Sequence, residues 1–249
     1  MTQLTGSYTI FLEETTSTNE ALKTEELNKK LPEGAVLYTN FQSRGKGQQE
    51  AKWESEPHKN ILLSVLYYPV FLKPDEQMWL NMAVSLACRK FLAALIPQKD
   101  VFIKWPNDLV ADGKKLGGIL IENSLQGAKL RSSIIGLGLN INQSNFSFPL
   151  AGSVFGLSGK EWNLKDLRQE LFTCLDEYYR ILQLKQLVSL KSEYETHLLF
   201  KGKETVFILD GKEVRAEVLG IGAQGKLHLL IDDEIRSFAN KEISYSVLS

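Results

Sequence analysis

The 249 residues carry 29 Lys and Arg against 30 Asp and Glu, a net charge of -1, which argues against a general nucleic-acid binder. Hydrophobic residues make up 43% of the chain, ample for a core, and the length suits one large domain or one domain with a small appendage. Cys88 and Cys174 sit in helix-like apolar patterns, and His58, His197 and His228 are scattered, so no metal-type cluster is expected. There is no basic-then-apolar leader, and no apolar run approaches the roughly 18 residues needed to span a bilayer. Free thiols without a leader or span predict a cytoplasmic location.

In chain order, Tyr8 to Leu12 reads as a strand. Ser17-Thr18-Asn19-Glu20 then has the form of a capping box opening a helix, which Pro32-Glu33-Gly34 ends. Ala35 to Phe41 is a strand, Gln42 to Pro57 a long polar loop, and Asn60 to Tyr68 an apolar strand. The period of Trp79, Met82, Ala83, Leu86 and Ala87 predicts a helix from about 75 to 96. Phe102 and Ile103 lead as a short strand into Lys104-Trp105-Pro106-Asn107-Asp108. Two strands, 115–122 and 129–142, are joined by a turn at Gly127. The 143–159 stretch has no period and reads as a mobile loop. A long helical region runs from Asn163 to about Phe200. Beyond it, Val206 to Leu209, the turn Asp210-Gly211 and later apolar runs predict hairpins, read as a small SH3-like β-barrel. The expected fold class is α+β, with domains 1–200 and 201–249.

Four polar segments interrupt these elements. Ser17-Thr18-Asn19 offers hydroxyl and amide groups at a helix N-terminus, which suits an acceptor-rich ligand as well as a plain cap. Gln42 to Gln48, with Gly45, Gly47, Arg44 and Lys46, is a loop whose backbone can wrap an anion. In the third, Asn107 and Asp108 precede Lys115, a charge at a strand start, and Gly117-Gly118, whose place within a strand signals close approach of a backbone or ligand. The fourth, Gly136-Leu137-Gly138-Leu139-Asn140, repeats that glycine signal and ends on an amide where an aliphatic side chain would be usual. Together they suggest an anion-handling site on a mixed sheet, without a serine- or cysteine-type nucleophile–base pair.

Taken in order and at this spacing, the segments resemble the biotin protein ligases, the biotin–[acetyl-CoA-carboxylase] ligase family, in its short form. The match is strong over about residues 8 to 145 and weaker in the C-terminal β module. It implies a class II synthetase-like mixed sheet flanked by helices. It implies ATP-dependent activation of biotin as biotinyl-5′-AMP and transfer to a lysine of a biotin carboxyl carrier protein. The implied catalytic residues are Lys115, Lys46 and Asp108. The implied biotin contacts are Ser17, Thr18, Asn19, Gln42, Lys46, Gly47, Gln48, Lys115 and Gly118; Trp53, Asn107, Asn140 and Lys115 would serve the adenylate. Mg²⁺ would be held mainly by phosphates. Lys46 stands where the family usually has arginine, and Glu50 where glycine is usual. With the first strand at Tyr8 there is no place for the N-terminal helix-turn-helix of longer members, so neither DNA nor membrane binding is expected; the sequence leaves the oligomeric state open, a weak homodimer included. Lipoate ligation is the nearest alternative, and a non-enzymatic biotin or adenylate sensor the alternative of another class.

Overall fold

The computed structural model describes residues 3–48, 52–127 and 129–246. Its centre is a seven-stranded mixed sheet. β1 (Thr9–Thr15) pairs parallel with β2 (Val36–Gln42), and the remaining neighbours are antiparallel: β5 (Ile61–Tyr67), β9 (Lys129–Leu139), β8 (Lys114–Gln126), β7 (Asp108–Ala111) and β6 (Val101–Lys104). The 42–57 loop, expected to be irregular, contains a short hairpin of β3 (Gly45–Lys46) and β4 (Lys52–Trp53). Glu50 lies outside the described residues.

The strands of the middle of the sheet are apolar on both faces because both faces are covered. In β5, Ile61, Leu63, Val65 and Tyr67 point into the main core beneath α2 (Gln77–Leu95) and α4 (Leu164–Gln183). Leu66, with Leu22, Leu37 and Ile134, points into a smaller core under α1 (Thr18–Asn28). α2 is, among the described residues, the one helix whose length and composition would suit a membrane; here Leu80, Leu86 and Phe91 are buried in the main core.

The 143–159 stretch is not the free loop its aperiodic sequence suggests. It is tied down by backbone bonds from Val154 to Asn140 and from Phe155 to Ile141, and it contains α3 (Val154–Ser158), capped by Ser153. Buried Gln143 joins it to Asn60. Polar contacts, not periodic apolar ones, hold it, which is why a hydrophobic pattern misses it. The helical region divides at Leu184–Gln186 into α4 and α5 (Leu187–Thr196).

The chain ends in a five-stranded antiparallel sheet: β10 (Glu204–Leu209), β11 (Lys212–Ile221), β12 (Leu227–Ile231), β13 (Glu234–Phe238) and β14 (Ser244–Tyr245). Asp210 and Gly211 both have positive φ, the geometry of a tight hairpin turn. Phe207, Leu229 and Tyr245 join the main core, and the Trp105 indole N–H donates to the Gly225 carbonyl at 2.9 Å.

Candidate active site

On the α1 face of the sheet, the residues that would fill the space are missing side chains. Gly118 of β8 pairs with Gly138 of β9, and Leu120 with Gly136. Gly118, Gly136 and Gly138 leave a floor of backbone, and a cavity of about 300 Å³ opens above it, with Ser64 of β5 buried beside Gly136. The space is tightly used: a Cβ on Gly136 would stand 2.5 Å from Asn19 Oδ1, and one on Gly138 2.5 Å from the Trp53 indole. Both glycines are therefore required by close approach.

One wall is a chain of hydroxyls and amides. The Thr18 backbone N–H donates to Gln42 Oε1 at 2.7 Å, and its hydroxyl lies 3.1 Å from the same oxygen. Buried Ser64 reaches Thr18 Oγ1 at 2.8 Å and donates to Asn19 Oδ1 at 2.6 Å. Asn19 Nδ2 donates to Glu122 Oε2 at 2.7 Å and to the Leu120 carbonyl at 3.3 Å. The expected capping box does not form. Ser17 has the extended N-cap conformation, but its side chain makes no cap bond. Gln42 reaches across from β2 to take the first-turn donor, and Glu20 is turned away to Lys46.

The opposite wall is cationic. Lys46, Lys52, Lys104 and Lys115 line the cavity, and Asp108 is the one carboxylate among the described lining residues. Lys115 Nζ lies 2.7 Å from Asp108 Oδ1 and 5.9 Å above the Trp53 ring. Lys46 is paired with Glu20, which holds that carboxyl below its ordinary range and raises the lysine. Burial pushes the Lys104 ammonium below the usual lysine range; Asp108 opposes this and nearby Lys115 adds to it. Lys46 is matched by Glu20 and Lys115 by Asp108, and with Lys52 and Lys104 added the lining still carries more positive than negative charge, which favours anions.

Of the residues expected in the site, Ser17, Thr18, Asn19, Gln42, Lys46, Gly47, Gln48, Trp53, Asn107, Asp108, Lys115 and Gly118 all line this cavity. Asn140 does not. Its amide donates to the Gly152 carbonyl at 2.9 Å, fixing the 143–159 stretch to the sheet, while its buried Oδ1 has no partner among the described residues. Asn107 reaches the cavity but gives its amide N–H to the Ile119 carbonyl, which ties the β6–β7 turn to β8. Gly118 lies beneath the indole of Trp53. Ser64, Lys52, Lys104 and Tyr245 were not expected. Ser64 was the one polar residue in an apolar strand, which is the signal that could have found it; Lys104 opens the polar 104–108 stretch, and nothing local marks Lys52 or Tyr245.

Residues 11–140 match the biotin/lipoate A/B protein ligase family. The bifunctional ligase/repressor BirA of Bacillus spizizenii (strain W23) is 29% identical over 248 residues, covering 97% of this chain and 75% of the relative. The biotin–[acetyl-CoA-carboxylase] ligase of Mycobacterium tuberculosis is 29% identical over 221 residues, covering 87% of this chain and 80% of the relative. The fold is similar to that of the biotin protein ligase from Aquifex aeolicus solved with biotin and ATP, with TM-score 0.79 and 24% identity over 96% of this chain and 98% of that one. With the match spanning more than half of its length, this chain belongs to the biotin/lipoate A/B protein ligase family.

Proposed function

We infer that this chain is an ATP-dependent biotin–protein ligase, which activates biotin as biotinyl-5′-AMP and passes it to a lysine of a biotin carboxyl carrier protein. The observation that carries the reading is the pairing, in one cavity, of the hydroxyl–amide wall with the lysine wall. A cyclic urea both donates and accepts, which suits Thr18, Asn19 and Gln42. The carboxylate of the same molecule must meet a triphosphate, and two anions approach only where positive charge is already in place.

In the first step a biotin carboxylate oxygen attacks the α-phosphorus of ATP and pyrophosphate leaves. Lys115, held on a strand and steadied by Asp108, is placed to stabilise the charge that builds on the phosphoryl oxygens; Lys46 serves the carboxylate from the loop. In the second step a lysine amine attacks the acyl carbon, the anhydride C–O bond breaks, and AMP leaves. Mg²⁺, when bound, would supply charge neutralisation of the phosphates. Asp108, the one described carboxylate of the lining, is engaged by Lys115, so the donor set fits an ion carried on the nucleotide. Trp53 offers a flat face to the adenine.

The small C-terminal sheet, from about residue 201, acts as an SH3-like module that closes one side of the site. The chain works in the cytoplasm, where ATP and reduced Cys88 and Cys174 coexist, without binding DNA, and any homodimer is weak. Lipoate is disfavoured because its dithiolane asks for an apolar pocket. The test is ATP–pyrophosphate exchange. Stimulation by biotin and not by lipoate, with labelling of a carrier domain, is the expected result; exchange driven by lipoate alone would overturn it.

A further inference from the structure

A second cleft, of about 430 Å³, adjoins the catalytic cavity on the side of the C-terminal sheet. Gln77, Met78 and Asn81 at the start of α2 form one side, Ile121 and Asn123 of β8 the back, and Gln224 to Lys226 the far side. The two spaces share Gln48, Trp105, Pro106, Ile119 and Asn240. Asn240 Nδ2 donates to Gln48 Oε1 at 2.8 Å, so the biotin loop and the C-terminal sheet meet at the boundary between them.

The chemistry of this cleft differs from that of the cavity. Its polar side chains are amides apart from Lys226, and no carboxylate lines it among the described residues. Asn123 Nδ2 donates to Gln77 Oε1 at 2.7 Å and Asn81 Oδ1 accepts from Ser85 at 3.0 Å, so these amides would exchange such bonds for those of an extended peptide backbone, to which an amide can both donate and accept. The shared floor of Trp105, Pro106 and Ile119 is largely apolar and suits the methylene stem of a lysine. A passage without carboxylates also disfavours an ammonium ion relative to the free amine, and only the free amine can attack an acyl carbon. Lys104, lining the adjoining cavity, is itself held below the usual lysine range by burial.

We propose that this amide-lined cleft seats the peptide segment flanking the acceptor lysine of the carrier domain, and that the lysine crosses the Gln48–Asn240 boundary into the catalytic cavity. The proposal rests on the ligase reading above. The transfer it serves is balanced: the amine nitrogen bonds to the acyl carbon, AMP departs with the anhydride oxygen, and the amine proton is released to water.

Gln77→Trp places an indole in the cleft from an exposed helix start, and Asn123→Asp places a carboxylate on its back wall. Both variants are measured for biotin-dependent ATP–pyrophosphate exchange, for transfer to a carrier domain, and for transfer to hydroxylamine, which is small enough to need no cleft. The expected result is exchange and hydroxylamine transfer within about twofold of the unaltered chain, with the carrier KM of Gln77→Trp raised about tenfold. Asn123→Asp is expected to move the rise of carrier transfer with pH to higher pH, because the carboxylate holds the amine protonated. An unchanged carrier KM and pH profile in both variants would overturn the proposal. So would a parallel loss of exchange, which would assign the cleft to the nucleotide. Absence of exchange in the unaltered chain would remove the ligase reading and this proposal with it.

Discussion

Lys115 Nζ and Asp108 Oδ1 stand 2.7 Å apart on the face of β8 that carries Gly118, and a bulge puts them there. Between Leu109 and Val110 the register slips, so that Leu109 faces Gly117 but Val110 faces Lys115. In a regular strand, residues three apart point to opposite faces. The extra residue returns Lys115 to the side of Gly118, over the cavity. The backbone there is held from behind, with Lys115 N–H donating to the Leu150 carbonyl at 2.7 Å.

Lys115→Ala is expected to lower biotin-dependent exchange by about 10²-fold or more, as for loss of one oriented charge-stabilising group. Asp108→Asn keeps an acceptor for the ammonium and is expected to cost about tenfold in kcat with little change in KM. Normal exchange in Lys115→Ala would take the reacting anions away from this lysine.

Ser64 is fully buried, and its hydroxyl meets both Thr18 and Asn19. Ser64→Ala leaves Asn19 Oδ1 without its donor, at about 1–3 kcal/mol of stability, measured by urea denaturation. The biotin KM is expected to rise about tenfold while the ATP KM stays level, because the freed amide can rotate. Equal rises in both would mean a general collapse of the site.

Gly136→Ala and Gly138→Ala test the floor separately. The first drives a methyl into the Asn19 amide and the second into Trp53. Each is expected to destabilise by about 1–3 kcal/mol. Gly136→Ala should raise the biotin KM, and Gly138→Ala should shift the Trp53 emission, read against a Trp53→Phe background. Unchanged emission in Gly138→Ala would show that Trp53 does not rest on this floor.

The Glu20–Lys46 pair has a definite pH sense. Lys46 depresses the Glu20 pKa, so the pair's contribution is present above the ordinary carboxylate pKa and is lost as pH falls through the lowered value. Biotin KM in the unaltered chain should show no transition from this pair between about pH 5 and 8. Glu20→Gln is expected to lower the KM about threefold at neutral pH, because Lys46 no longer has to leave a carboxylate. A raised KM would show that Glu20 holds Lys46 in its working position. Lys46→Arg should be equal or more active, since the fork can hold a carboxylate through two bonds; an inactive Lys46→Arg would mean that the loop has another geometry.

Much of this was legible in the sequence because it is local. Alternation and helical period place most elements of the sheet and its covering helices. The glycines of 117–118 and 136–138 announce a close approach, and Ser17-Thr18-Asn19, the Gln42 loop and Lys115 announce polar work. What lay outside local pattern was the partner of each group. Glu20 looked like a capping residue, but Gln42 from β2 takes the helix N-terminus. Asn140 was expected at the adenylate; what local pattern did not show is that its amide N–H holds the 143–159 stretch, which therefore is no free loop.

By itself, then, the sequence determined which residues are polar where a core should be, and in what order they come. Only the tertiary structure decided which of them share a surface. Strand order brings β8 against β9 and lays their glycines side by side, a one-residue bulge chooses the face of Lys115, and β14 with the connection before it adds Tyr245 and Asn240 to a cavity begun at Ser17. Those outcomes depend on hydrogen-bond register between segments far apart in the chain, which no local period encodes.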